Sequence, residues 1–229
     1  MQKKLLPVIH VLNAEQAVAN ADIAFESGCD GVFLINHEDE HGVRKLNFEA
    51  LLSIHAVVRQ HFPHKFMGVN CLDLEAAEVF QYLNEGVSAV WVDNAEIDEH
   101  SENQIEADKI LRAKHEARWN GMYFGGVAFK YQRNVDNLEA AAKIASNYVD
   151  VITTSGPATG QAASISKIRQ IKQTINEIPL AIASGITAEN VTNFLPWVDY
   201  FLVATGISQT FYHLDQQKIT ELAQIIHRY

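Results

Sequence analysis

Short, continuous runs of apolar residues recur along this chain, and each is followed by a longer stretch of mixed character. A short apolar run without polar alternation is typical of a strand buried on both faces, as in a parallel sheet covered by helices. The runs therefore predict a parallel sheet. The eight predicted strands are residues 5–12, 31–35, 66–69, 89–92, 123–129, 151–154, 180–183 and 200–204.

The stretches between these strands have the three- and four-residue apolar spacing of helices. Asn13, Asn47, Asp73 and Asp215 stand where N-caps are expected, and Gly28 is placed to end the first helix. The predicted helices are residues 14–27, 48–61, 74–86, 104–119, 137–148, 164–176, 188–195 and 216–227.

Strict alternation of strands and helices predicts one α/β domain over residues 1–229, without a linker. Eight strand–helix units favour a closed (β/α)8 or TIM barrel, and 229 residues are enough for one. An open, flavodoxin-like doubly wound sheet is the alternative, but it usually has fewer strands.

In a TIM barrel, chemistry takes place at the carboxyl ends of the strands. Here those ends are rich in Asn, His, Ser and Thr, whereas a merely solvated rim would favour Lys and Glu. The sequence therefore predicts a polar pocket, while Asp150 and Asp199 at the opposite strand ends are expected to be structural. The side chains at the carboxyl ends are His10, Asn36, His37, Glu38, Asn70, Asp93, Asn94, Lys130, Thr154, Ser155, Ser184 and Thr205.

Three of these strands lead into loops of glycine and small hydroxyl residues, at residues 154–160, 184–187 and 205–208. Backbone N–H groups in such loops can bind an oxyanion, and TIM barrels often bind phosphate with the last two loops and a short extra helix. Residues 207–211 are expected to supply that helix. The alternative is that the glycines only close tight turns. The predicted ligand-binding residues are Asn70, Thr154, Ser155, Gly156, Ser184, Gly185, Ile186, Thr205 and Gly206.

Asp93, Lys130 and His10 are the candidate catalytic residues. A carboxylate and an ammonium on neighbouring strands can divide the base and acid roles, and a desolvated lysine can form a Schiff base. The alternative is an ion pair that only orders the barrel mouth. His10 could be an acid, a donor that orients the ligand, or a core histidine.

The formal net charge of −10 argues against nucleic acid as a partner, because phosphate contacts need a basic surface. No apolar run approaches membrane-spanning length and no signal peptide is recognisable, so we expect a cytoplasmic protein. No cofactor motif is present, and the oligomeric state stays open. The acidic loop at Glu38, Asp39 and Glu40 could bind a divalent cation or simply be solvated.

Five motifs together resemble the BtpA/SgcQ family of barrel proteins, with the best similarity over residues 68–208. The resemblance implies a ribulose-phosphate-binding type of barrel, from a family named for a factor needed for stable photosystem I, and it implies no established reaction. The chain departs from the family pattern at Ala128, where a histidine is expected, so a catalytic role does not transfer directly to strand five. The motifs are Gly68-Val-Asn-Cys-Leu72, Val90-Trp-Val-Asp93, Gly126-Val-Ala-Phe-Lys130, Thr154-Ser-Gly-Pro-Ala-Thr-Gly160 and Ala183-Ser-Gly-Ile-Thr-Ala-Glu-Asn-Val191.

Two functions follow as expectations. The first is an enzyme of unknown reaction that acts on a small phosphorylated metabolite, such as a sugar phosphate or a phosphoribosyl compound, with Asp93 as base and Lys130 as acid or electrophile. The second is a non-catalytic sensor of a phosphorylated ligand or an assembly factor, because a fold does not fix a function.

Overall fold

The structure is a computed structural model that describes residues 2–38 and 41–229. Eight parallel strands form a closed barrel in chain order, with β1 hydrogen-bonded to both β2 and β8. The closed ring confirms the predicted (β/α)8 barrel and excludes the open sheet. The strands are β1 Lys4–His10, β2 Gly31–Ile35, β3 Phe66–Asn70, β4 Ala89–Val92, β5 Met122–Gly126, β6 Val151–Ser155, β7 Leu180–Ala183 and β8 Tyr200–Val203.

Seven α-helices surround the barrel in the described part of the chain. Asn13, Asn47 and Asp215 accept hydrogen bonds from backbone N–H groups in the first turns of their helices, as their positions in the sequence predict. None of the described helices is long and apolar enough to cross a membrane. The helices are α1 Ala14–Glu26, α2 Phe48–His61, α3 Ala76–Val79, α4 Ile105–Glu116, α5 Leu138–Ala145, α6 Ile165–Ile175 and α7 Gln216–His227.

The predicted helix at residues 74–86 is wrong in length, and its predicted cap is wrong as well. The α3 helix covers Ala76–Val79, and a 3₁₀ turn at Phe80–Tyr82 follows it. Glu75 is the N-cap, because the Asp73 carboxylate instead accepts hydrogen bonds from Asn36 Nδ2 and the backbone N–H of Phe48. A long-range contact therefore overrides the local capping signal.

Two further predicted helices are absent. Residues 188–195 contain a 3₁₀ turn at Val191–Asn193, and the expected phosphate-binding helix at 207–211 is replaced by a 3₁₀ turn and a hairpin. The hairpin strands are β9 Ser208–Thr210 and β10 His213–Leu214. Short apolar runs fit a hairpin as well as a single helical turn, so periodicity alone could not distinguish them.

The fifth strand ends at Gly126, three residues before its predicted end. Ala128 adopts a left-handed conformation (φ 49°), which turns the chain away from the strand direction. Phe129 is consequently buried inside the barrel against Trp91, with ring centroids 5.8 Å apart. Lys130 therefore lies on a loop above the strand rather than directly at its end.

Polar side chains at the amino end of the barrel clamp the strands in pairs. The residue directly before each even-numbered strand has a polar side chain that accepts a hydrogen bond from a backbone N–H group at the start of the preceding strand. A basic side chain from a surrounding helix binds the same polar side chain. The backbone donors and their acceptors are Leu5 and Asp30, Met67 and Ser88, Tyr123 and Asp150, and Leu180 and Asp199. The basic partners, in the same order, are His227, Arg59, Lys114 and Lys172.

Candidate functional site

The strand register decides which predicted site residues face the barrel interior. Neighbouring residues in a parallel pair point to the same face of a sheet. His10 pairs with Ile35, Ile35 pairs with Asn70, and Ser155 pairs with Ala183. Because Ile35 and Ala183 belong to the interior core cluster, His10, Asn70 and Ser155 face the interior near its carboxyl end.

Asn70 and Asp93 form a hydrogen-bonded pair at this end. Asn70 is fully buried, and its Nδ2 donates to Asp93 Oδ1 (3.2 Å) and to the backbone oxygen of Trp91 (3.0 Å). Its Oδ1 is a buried acceptor without a hydrogen-bond partner in the described structure. Burial raises the pKa of the Asp93 carboxyl above its usual value, although Lys130, Asn70 and His37 oppose the shift. A carboxyl group with a raised pKa is suited to proton transfer near neutral pH.

The Lys130 ammonium lies across the mouth among hydroxyl groups. Its Nζ is 3.1 Å from Thr159 Oγ1 and 3.2 Å from Ser184 Oγ. Burial lowers the pKa of Lys130, and the negative charge of Asp93 partly offsets this. Lys130 and Asp93 act on each other through space without a direct ion pair, since their N–O distances exceed 4.0 Å. The rim-ordering ion pair considered from the sequence is therefore not formed.

His10 packs beneath the hairpin of β9 and β10. Its Nδ1 is 3.0 Å from the backbone oxygen of Phe211, and the two rings stack with centroids 4.1 Å apart. Burial lowers the pKa of His10 to about 4, so the ring is neutral at pH 7. Because a carbonyl oxygen can only accept, Nδ1 carries the hydrogen and Nε2 carries a lone pair. This geometry favours an acceptor at Nε2 over the acid or donor roles considered from the sequence.

Lys167 is a residue of the site that the sequence reasoning missed. Its Nζ donates to the backbone oxygens of Ala128 (2.5 Å) and Ser155 (2.7 Å), tying the loop after β5 to the end of β6. Burial lowers the pKa of Lys167 to about 8. The available signal was its position in the first turn of α6, where the helix dipole disfavours a cation.

Two predicted ligand-binding side chains support this same loop. Thr154 pairs with Ile182, whose side chain lies in the outer core, and Thr154 Oγ1 donates to the Ala128 oxygen (3.4 Å). Ser155 Oγ accepts a hydrogen bond from the Lys130 backbone N–H (2.8 Å). Thr154 therefore does not reach the mouth, and Ser155 holds the lysine in place.

The three glycine loops after β6, β7 and β8 pack backbone against backbone. A Cβ atom on Gly156 would lie 2.1 Å from the oxygen of Gln161, and one on Gly185 would lie 2.1 Å from the nitrogen of Ala162. A Cβ on Gly206 would lie 2.0 Å from the oxygen of Ile186. These close contacts leave no space for a side chain, so they explain each glycine whether or not an anion binds there. The contact of Gly206 with Ile186 also brings the loops after β7 and β8 together.

The adjoining loops after β7 and β8 leave backbone donors open. The N–H groups of Gly185, Ile186 and Gly206 donate to no acceptor among the described residues, whereas Thr187 N–H is capped by Asn190 Oδ1 (3.0 Å). Ile186 has no exposed surface, so its N–H group is unpaired but enclosed, whereas Gly185 and Gly206 are partly exposed. Thr205 is exposed beside Gly206 at the rim. Of the amides expected to bind an anion, those of Gly185 and Gly206 are therefore both unpaired and in partly exposed residues.

Two cavities open beside the loop after β5. One, of about 500 Å³, is lined by Lys130, Ser155, Gly156 and Lys167 among others. The second, of about 670 Å³, lies outside Gly126 against the loop after β4. The first cavity borders Lys130, but neither Asp93 nor the loops after β7 and β8 line it.

Two acidic clusters could in principle bind a metal ion, and neither is assigned as a metal site. Asp39 and Glu40 of the predicted loop lie outside the described residues, and Glu38 pairs with Arg44 (3.4 Å). Glu99, His100 and Asp136 approach one another closely enough to share an ion. However, the Arg133 guanidinium already binds both oxygens of Glu99.

Comparison with known sequences gives a family match over nearly the whole chain. The model described as the BtpA family matches residues 9–228. An uncharacterised protein of Archaeoglobus fulgidus is 24% identical over 230 residues, covering 91% of this chain and 93% of that protein. An uncharacterised mitochondrial protein of Caenorhabditis elegans is 25% identical over 199 residues, covering 76% of this chain and 69% of its own length.

Three solved structures have the same architecture. Phosphoribosyl anthranilate isomerase from Thermus thermophilus has a TM-score of 0.66 at 13% identity, covering 96% of each chain. (S)-3-O-geranylgeranylglyceryl phosphate synthase from Thermoplasma acidophilum, in complex with sn-glycerol-1-phosphate, has a TM-score of 0.64 at 13% identity, covering 100% of this chain and 94% of that one. Thiamine phosphate pyrophosphorylase from Pyrococcus furiosus has a TM-score of 0.66 at 16% identity, covering 98% and 96%. At these identities the likeness shows the fold alone.

Proposed function

The chain belongs to the BtpA family, and we propose that it is an enzyme that binds a small phosphorylated metabolite, such as a sugar phosphate or a phosphoribosyl compound, at the carboxyl end of its barrel. The observation that carries the proposal is the pair of unpaired, partly exposed N–H donors on Gly185 and Gly206, in two loops that touch each other. They lie at the same end of the barrel as Asp93 and Lys130.

A phosphate group suits these donors for electrostatic reasons. Successive backbone N–H groups in a turn form a concave site with partial positive charge. The Lys130 ammonium adds a full positive charge next to Ser184, which directly precedes Gly185. The net charge of −10 belongs to the whole surface and does not prevent local anion binding. Support also comes from proteins of the same fold whose names include a phosphorylated compound.

The remaining polar groups suit a reacting carbon or oxygen placed between Asp93 and Lys130. Asp93 is held by Asn70 and serves as the base, and Lys130 serves as the acid or electrophile. The Nε2 of His10 is an acceptor that can orient a hydroxyl group of the ligand. Proton transfer next to a bound phosphate is therefore the chemistry that the site supports.

Calorimetry with inorganic phosphate tests the binding part of this proposal. Lys130→Gln is expected to weaken phosphate binding about tenfold, because one charge-assisted contact is worth about 1.4 kcal/mol or more. Lys143→Gln is the matched control, since Lys143 is exposed on α5. Equal affinity in wild type and Lys130→Gln would contradict the proposed site.

A crystal structure in phosphate buffer provides the second test. Density is expected against the backbone nitrogens of Gly185 and Gly206. Density only elsewhere, with these nitrogens bonded to water, would exclude the cradle. Phosphorylated metabolites that raise the melting temperature without being converted would favour the sensor over the enzyme.

A further inference from the structure

The backbone around Lys130 is held by hydrogen bonds to the end of β6 and to α6. Its N–H donates to Ser155 Oγ, and the carbonyl oxygen of Ala128 accepts hydrogen bonds from both Thr154 and Lys167. Ala128 and Tyr131 on either side have positive φ angles of 49° and 62°. Left-handed non-glycine residues cost energy and persist where the surrounding structure enforces them. The backbone of Lys130, from which the side chain that carries the amine extends, therefore has little conformational freedom.

The amine itself has only neutral partners. Lys114 and Lys172 bind the carboxylates of Asp150 (2.5 Å) and Asp199 (2.7 Å), whereas Lys167 contacts only backbone oxygens. Lys130 instead contacts the hydroxyls of Thr159 and Ser184. An ammonium that is buried without a bound counter-ion is poorly stabilised, and burial accordingly lowers the pKa of Lys130. The free amine, which is the nucleophilic form, is therefore more accessible here than at a solvated lysine.

The Asp93 carboxyl group is a nearby proton acceptor that forms no ion pair with the Lys130 amine. Asp93 interacts with Lys130 through space, and burial raises the pKa of its carboxyl group. The N–O distances between the two groups exceed 4.0 Å, so no ion pair ties up the amine. A positioned amine and a proton carrier that does not neutralise it are parts that an imine-forming site requires.

We propose that Lys130 forms an imine with the carbonyl carbon of a small phosphorylated aldehyde or ketone, whose phosphate lies on the loops after β7 and β8. The inference rests on the proposed function, because the same loops must hold the phosphate. It narrows the substrate class from any phosphorylated metabolite to one with a reactive carbonyl group.

The step balances with the groups present. One proton passes from the Lys130 ammonium to Asp93 through a water molecule, because the two groups are not in direct contact. The free Nζ attacks the carbonyl carbon, and the carbonyl oxygen takes one of the two protons left on Nζ, which gives a neutral carbinolamine. Asp93 returns the proton to the hydroxyl group of that intermediate, which leaves as water while the C=N bond forms. Ammonium and carbonyl are thus converted to a protonated imine and water, with no oxidant or reductant.

Reductive trapping tests the proposal. The protein is incubated with dihydroxyacetone phosphate or glycolaldehyde phosphate and sodium cyanoborohydride, and the modified lysines are located by peptide mass spectrometry. We expect one predominant adduct, at Lys130, with at least one of the two probes. Asp93→Asn is expected to slow trapping at Lys130 about a hundredfold, the usual size of a general acid–base contribution.

Two variants and one competitor make the outcome decisive. Lys130→Arg keeps the charge but should abolish the adduct, whereas Lys143→Arg should leave it unchanged. Adducts spread over exposed lysines, or no adduct at Lys130 with either probe, would overturn the inference. If phosphate binds by calorimetry and no adduct forms, only the imine fails. If the adduct forms and phosphate does not compete, the phosphate cradle is misplaced while the amine assignment stands.

Discussion

Ser184 combines a strained backbone with a contact to the proposed amine. Its φ angle of 74° lies in the left-handed region, directly after β7, and its hydroxyl accepts a hydrogen bond from Lys130. For a residue other than glycine this conformation costs about 1 kcal/mol. Strain of this kind concentrates at functional sites because the surrounding structure maintains it.

Substitution of Ser184 separates the backbone strain from the hydroxyl contact. Ser184→Gly and Ser184→Ala both remove the hydroxyl, but only glycine relieves the left-handed conformation. We expect Ser184→Gly to be more stable than Ser184→Ala by about 1 kcal/mol in urea unfolding. Equal stabilities would show that the strain is not present in solution.

At the scale of elements, the loop after β5 is held in place at the expense of fold stability. The pKa of Lys167 is lowered to about 8 by burial. The folded protein therefore disfavours the charged form relative to the unfolded chain, and this unfavourable contribution is full below pH 8. It is relieved as the pH rises from about 8 toward the unfolded value of about 10.4.

Lys167→Met should consequently leave the free energy of unfolding at pH 7 unchanged or higher, while freeing the loop that it ties down. Hydrogen exchange of residues 127–130 is the direct measurement, and exchange there should be faster in the variant. Lys167→Arg, which keeps a donor, should largely preserve protection. A marked loss of global stability in Lys167→Met would mean that the lysine is a structural residue alone.

The hydrogen-bonded clamps at the amino end of the barrel stabilise the fold, in contrast to the buried charge of Lys167. Asp199 is buried and binds Lys172, Lys3 and the Leu180 N–H. Burial raises the pKa of Asp199, but these partners lower it more, so the net shift is downward. A carboxyl group with a depressed pKa stabilises the fold above its unfolded value of about 3.9, and this stabilisation is lost as the pH falls toward its folded pKa.

Asp199→Ala should therefore destabilise the protein by about 3 kcal/mol at pH 7, because it leaves a partly buried lysine and a backbone donor without a partner. Asp199→Asn, which keeps an acceptor for Leu180, should cost less. Urea unfolding of the three proteins measures the difference. Equal costs for both variants would show that the charge, rather than the backbone hydrogen bond, is what matters.

For the whole molecule, buried histidine links stability to pH in a separate range. His55 on α2 is buried, and burial lowers its pKa to about 4. Between pH 6.5 and 4 the unfolded chain binds a proton that the folded protein does not, so stability falls as the pH falls through this range. The carboxyl groups of the clamps act only below this range.

We expect His55 to account for about 2–3 kcal/mol of the loss in unfolding free energy between pH 7 and pH 4.5. His55→Gln should flatten the pH dependence by that amount, although it also changes stability at pH 7. His61→Gln is the control, because His61 is exposed on the same helix. The same slope in wild type and His55→Gln would contradict the role assigned to burial.

Local pattern was sufficient for the architecture of this protein. Continuous apolar strands, helical spacing and asparagine caps are each set within a few residues, because burial on one or both faces imposes a period on the sequence. Hence the eight strands, most helices and the end of the barrel that carries His10, Asn70 and Asp93 could be predicted. The role of Asp150 and Asp199 as structural groups is also confirmed by their clamps.

Contacts between distant segments decided the rest. The early end of β5, the use of Asp73 away from its helix and the role of Lys167 all depend on partners that are remote in sequence. The close approach of Gly206 to Ile186 likewise exists only after the barrel has closed. Sequence by itself determined the strands and the end of the barrel that carries the polar side chains, because burial of short apolar segments is a local property. Only the tertiary structure decided which donors remain open at the rim and that Lys130 has no carboxylate partner, because hydrogen-bond and ion-pair partners are chosen across the closed ring.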